Sequence, residues 1–142
     1  MSIIMTSEIY KILYVENNPE KLVQLKQLIR ANSVESKITF DIITTGTLEG
    51  ISLSINKENC DLIILQDSPK VPTLKEVNDA VGVKNIPILS LVDEADFLDK
   101  RQLMMNEGAI DVGILQQGES LFKQIVRTIF EFKTQVGYRD VL

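Results

Sequence analysis

Short apolar runs alternate with stretches of helical periodicity along nearly the whole chain, and that alternation leaves few folds open. Lys11-Ile-Leu-Tyr-Val15 ends at the polar cluster Glu16-Asn17-Asn18-Pro19, which reads as a buried strand at 11–15 and then a helix start. Asn18 is placed to cap that helix, and Pro19 suits its first position. Leu22, Leu25, Leu28 and Ile29 recur at helical spacing and predict a helix over 19–31. Ile38, Phe40 and Ile42 alternate with partly polar neighbours, so 38–43 is a less buried strand, broken by Gly46. A short helix at 48–55 follows, weakened by Gly50 and two serines. The runs at 61–65 and 86–92 lack alternation, as central parallel strands covered on both faces do. A weak helix at 74–81 lies between them; a helix at 97–107 stopped by Gly108, a strand at 109–115 and a helix at 120–134 complete the order. Strand then helix, five times over, implies an α/β doubly wound (βα)5 sandwich: a five-stranded parallel sheet with right-handed crossovers and helices on both faces. Ligands in such sheets sit at the carboxyl ends of the strands. Here those ends are Glu16-Asn17, Gln66-Asp67, Val92-Asp93 and Leu115-Gln116.

Composition removes several chemistries. The chain has 142 residues, no histidine and one cysteine, Cys60. A zinc site of the usual kind, a Ser-His-Asp triad and a phosphohistidine relay are all excluded as expectations, and Cys60 reads as a small buried residue. Fifteen basic against twenty acidic residues give a net charge of −5, with no Lys/Arg cluster, so direct nucleic-acid binding is not expected. No apolar run reaches membrane-spanning length and the first ten residues lack a signal-peptide pattern, so the expectation is a cytoplasmic protein with no membrane contact. One domain is expected over 10–134, with 1–9 a lead-in and 135–142 a short C-terminal tail.

Four fragments then carry a resemblance. Residues 11–20 (Lys-Ile-Leu-Tyr-Val-Glu-Asn-Asn-Pro-Glu), 60–66 (Cys-Asp-Leu-Ile-Ile-Leu-Gln), 86–92 (Ile-Pro-Ile-Leu-Ser-Leu-Val) and 108–115 (Gly-Ala-Ile-Asp-Val-Gly-Ile-Leu) resemble, in order and spacing, the strands of the response-regulator receiver family. The resemblance extends over about 10–132 and implies the family's flavodoxin-like fold and a place in two-component (phosphorelay) signal transduction. Carried over position by position, Gln66 stands where that family has its phosphoacceptor aspartate. Glu16 and Asn17 stand at its acidic pair, Val92 at its switch hydroxyl, Val112 at its switch aromatic and Leu115 at its lysine. Receiver chemistry needs a carboxylate nucleophile, a hard cation on carboxylate oxygens, and Lys with Thr or Ser to hold the product. Of those positions only Glu16 keeps its charge. The resemblance therefore implies a degenerate pseudo-receiver with no cofactor, weak or absent Mg²⁺ binding, and no enzymatic activity beyond residual self-phosphorylation. Val92 and Leu115 are expected to close an apolar lid over the former site.

Two alternatives stay open at this point. A slip of one residue would make Asp67 the phosphoacceptor of an active regulator, since such a slip reverses the face of every side chain. A ligand-sensing module could instead use the remodelled strand-end pocket near Val92, Val112 and Leu115. A flavodoxin-like cofactor binder is disfavoured, because Glu16-Asn17-Asn18-Pro19 offers no phosphate cradle.

In the last helix, Leu121, Phe122, Ile125, Ile129, Phe132 and Val136 form one stripe. Val126 and Phe130 lie beyond its edge; with Lys123 and Arg127 they are the candidate surface for a signalling protein partner or a homodimer, against the plainer expectation of a wide core stripe.

Overall fold

A computed structural model describes residues 9–141, and the side chains of 9–133. Most of the lead-in and Leu142 lie outside the described residues, as do the side chains of the expected tail, Val136 among them. The elements are β1 (Ile9–Val15), α1 (Pro19–Ser36), β2 (Thr39–Thr45), α2 (Leu48–Lys57), β3 (Leu62–Gln66), α3 (Leu74–Val81), β4 (Ile88–Leu91), α4 (Phe97–Asn106), β5 (Asp111–Gly113) and α5 (Glu119–Val141). Every strand pairing is parallel, and the sheet order is β2-β1-β3-β4-β5. This is the doubly wound flavodoxin-like order, with its reversal between β1 and β3.

Side-chain alternation divides the core into two layers. Leu13, Val15, Ile63, Leu65, Ile88 and Val92 pack with Ile51, Leu74, Val77 and Met104 beneath α2, α3 and α4. Ile12, Tyr14, Leu62, Ile64, Leu89 and Leu91 face the opposite way, against Leu25 and Ile29 of α1 and Leu121, Ile125 and Ile129 of α5. All five residues of β3 are buried, which is why its sequence shows no alternation.

Several boundaries differ from the sequence expectation. Asn18 caps α1 by accepting from the Glu20 N–H at 2.9 Å, with Pro19 in the first turn, but the helix runs to Ser36. Asn32 and Ser33, which favour loops, here donate to the carbonyls of Leu28 and Ile29 one turn back and let the helix continue. Lys37 ends it in the left-handed region, at φ 59°. Strand β5 is shorter than expected, since Ala109 N–H still bonds Met104 at the end of α4 and Leu115 opens a 3-10 turn. Helix α5 continues past the expected end at 134.

Candidate functional site

Gln66 closes β3, and the two-residue period turns its side chain to the α1/α5 side with Leu62 and Ile64. It is 2 % exposed. Tyr14, in the neighbouring strand, donates its phenol hydroxyl to Gln66 Oε1 at 3.1 Å, while Gln66 Nε2 makes a long contact of 3.5 Å with the Leu91 carbonyl. Burial, and after it the nearby Glu16 charge, push the Tyr14 phenol well above its ordinary pKa, so it stays neutral and remains a donor. An amide carbonyl is a poor nucleophile, and this one already accepts a buried hydrogen bond.

Glu16 is also buried. Its Oε1 accepts from the backbone N–H groups of Asn17 at 2.8 Å and Asn18 at 3.2 Å, whereas Oε2 is buried with no partner among the described residues. Asn17 is exposed and its amide donates to the Lys70 carbonyl at 3.1 Å, joining the loop after β1 to the loop after β3. Gly46 makes that loop arrangement feasible: a Cβ there would lie 2.8 Å from Asn17 Cβ. The donor set does not fit Mg²⁺. That ion asks for octahedral hard oxygens with carboxylate charge, and here one oxygen of a single carboxylate is uncommitted, beside an amide turned elsewhere. Among the described residues no group of three or more His, Cys, Asp or Glu is placed to hold a metal ion.

Asp67, one residue further, points to the other face of the sheet. Its backbone N–H still bonds the Leu91 carbonyl at 2.8 Å, so strand pairing extends to it. The Asp67 side chain is 32 % exposed and accepts from Lys100 Nζ of α4 at 2.6 Å, with Asp96 4.0 Å from the same ammonium. The hydrogen bond to Asp67 raises the Lys100 pKa above its ordinary value. The fallback acceptor thus has a cation beside it, supplied by α4 and not by β5.

Val92, Val112 and Leu115 are buried, yet they form no common lid. Val92 and Val112 belong to the layer beneath α2–α4, and Leu115 to the layer beneath α1 and α5. Strand alternation and the 3-10 turn at Leu115 place them on opposite sides of the sheet. The expected lid is therefore corrected to two separate plugs of core.

No protein-family model matches the chain, and no curated protein matches it. Solved structures do. The response regulator receiver domain from Clostridium thermocellum is 20 % identical, with a TM-score of 0.65 over 89 % of this chain and 98 % of that one. The N-terminal signal receiver domain of a two-component response regulator from Bacteroides fragilis is 17 % identical, with a TM-score of 0.65 over 88 % and 97 %. A receiver domain of a sensor histidine kinase from Pseudomonas aeruginosa, solved with magnesium coordinated in its active site cleft, is 13 % identical, with a TM-score of 0.63 over 88 % and 98 %.

The chain has the receiver fold. At these identities the likeness is one of fold, and it spans nearly the full length of the receiver domains matched. Within the receiver fold of this chain, Glu16, Gln66, Leu115 and Val92 gather at the carboxyl edge of the sheet, and Lys123, Val126, Arg127 and Phe130 lie away from it on α5. Val126 is partly buried against the α1/α5 core. Phe130 is 40 % exposed, and its ring meets Tyr10 edge-on at a centroid distance of 5.4 Å. Val126 widens the core stripe, a correction to the sequence division that set it outside, whereas Phe130 keeps an exposed face beyond the stripe. Lys123 and Arg127 are the exposed members, paired with Glu119 at 3.4 Å and Asp111 at 3.7 Å. No helix of the described residues is long and apolar enough to cross a membrane.

Sequence reading passed over Tyr14, Ser90 and Lys100. Tyr14 carried a usable signal, because a tyrosine inside a buried strand needs a hydrogen-bond partner and Gln66 ends the strand beside it. Ser90, inside an otherwise apolar strand, carried a weaker one.

Proposed function

We propose that this chain is a receiver-type domain of two-component signalling that does not take up phosphate and passes its signal through protein contacts. The observation that carries the proposal is the environment of Gln66: an amide at the end of β3, buried and hydrogen-bonded to Tyr14, at the position where phosphotransfer would need a free carboxylate. Glu16, spent on two backbone amides, and the apolar Val92 and Leu115 support the same conclusion from the other strand ends. The exposed Lys123 and Arg127, with the flanking Val126 and Phe130, are the part of α5 that we assign to a signalling partner or a second copy of the chain.

The test is an amide-resolved NMR titration with millimolar Mg²⁺, before and after addition of acetyl phosphate. The amides of residues 16–18 and 66–67 are expected to hold their positions. Saturable Mg²⁺ shifts there, followed by a new set of peaks with the phosphodonor, would overturn the proposal.

A further inference from the structure

On the α3/α4 side of the sheet, reaching the end of β3 at Gln66 and Asp67, lies a cavity of about 250 Å³. Leu65, Leu74, Leu103 and Met104 supply its apolar wall, and none of Val92, Val112 or Leu115 lines it. Its polar groups are nearly all committed. Lys100 is neutralised by Asp67 at 2.6 Å, Thr73 is tied up in a reciprocal cap with Glu76, and Ser68 Oγ accepts from the Lys70 N–H at 3.2 Å. One buried group of the wall is left over, beside the exposed Glu107 carboxylate: Ser90 Oγ, on a residue 0 % exposed, has no partner among the described residues. Ser90 lies on β4 between Leu89 and Leu91, so alternation aims it away from their α1/α5 layer and toward α3 and α4. Buried hydroxyls are nearly always paired. A single water is a poor answer, since a held water needs about two to four polar partners and this wall has one to spare.

We propose that the cavity binds a small, electrically neutral, largely apolar molecule carrying one hydrogen-bonding group, which meets Ser90 Oγ. Size sets the upper end. An apolar cavity of about 150 Å³ holds benzene, so 250 Å³ accepts a molecule of one or two rings or a comparable aliphatic body. Charge sets the class. The one cation on the wall is matched by Asp67 and approached by Asp96 at 4.0 Å, and Glu107 lines the same cavity, so an anion gains nothing there. Leu103, 57 % exposed on α4, lines the cavity where it meets solvent and forms part of its mouth. The neutral class of ligand rests on the reading that Asp67 carries no phosphate, and ligand titrations test the cavity separately from phosphotransfer.

Phenol and indole, each neutral with a single donor, are the probes, and benzoate is the charged counterpart. Amide spectra of the whole chain are recorded in titrations of the parent, Ser90→Ala and Leu103→Trp, spectral dispersion reporting that each variant is folded. The expected result is saturable shifts at Leu65, Ser90 and Met104 with phenol or indole but not benzoate. Affinity should drop about five-fold in Ser90→Ala, the worth of one hydrogen bond, and binding should vanish in Leu103→Trp, which fills the mouth without entering the core. Absence of saturable shifts with both neutral probes, or undiminished binding in either variant, would overturn the proposal.

Discussion

Gln66 and Tyr14 are separated by fifty-two positions in sequence and meet as side chains of adjacent strands. Removing the donor isolates what that contact contributes. In Tyr14→Phe the Gln66 carbonyl stays buried without its donor, which should cost about 1–3 kcal/mol, read from the urea midpoint at unchanged slope. The same phenol gives the chain an alkaline signature. Burial keeps the Tyr14 proton on beyond the ordinary value near 10, so the unfolded chain releases that proton first as pH rises. Stability is therefore intact below about pH 10 and declines above it, and Tyr14→Phe should flatten that decline in the same denaturation series. At this scale the sequence was legible in identity but not in contact. Gln66 in place of a carboxylate could be read directly; which hydroxyl reaches it depends on strand pairing. Lys100 lay further out of sight, because its meeting with Asp67 requires the orientation of α4 on the sheet.

Among the elements, α3 is the one whose start is most fully written in the sequence. Thr73 accepts from the Glu76 N–H at 3.2 Å, and the Glu76 carboxylate accepts from the Thr73 N–H at 3.0 Å. The Thr73 N–H and the Thr73 hydroxyl, which donates to the same carboxylate at 3.1 Å, hold the Glu76 carboxyl below its ordinary pKa. Thr73→Ala should cost about 1 kcal/mol by chemical denaturation, as N-cap removals do, and a loss near zero would mean that the helix start is held by packing alone. The apolar runs announced β1, β3 and β4, since burial on both faces dictates composition, alternation announced the less buried β2, and the helices followed from their periodicity. Ends were harder. Asn32 and Ser33 look like terminators until their side chains are seen bonding back along α1, and Leu115 looks like strand until the 3-10 turn takes it. Val126 fell outside the predicted stripe because a stripe drawn on an isolated helix omits its neighbours, and Phe130, exposed beyond the stripe, meets Tyr10 edge-on.

Over the whole molecule, parallel order β2-β1-β3-β4-β5 brings four strand ends to one edge, and the side chains found there are an engaged carboxylate, a buried amide and apolar plugs. Two further features flank that edge: the α3/α4 cavity with Ser90, which Gln66 and Asp67 also line, and, away from it, the charged outer face of α5. Asp67 is the single carboxylate at the end of β3 that could still accept phosphate, and its pairing with Lys100 makes it the residue on which the whole reading can fail. The most direct measurement is the intact mass of the chain, and of Asp67→Asn beside it, after prolonged incubation with phosphoramidate and Mg²⁺. We expect both to keep their unmodified mass. A phosphoryl adduct on the parent that is missing from Asp67→Asn would contradict a domain without phosphotransfer and make Asp67 its acceptor.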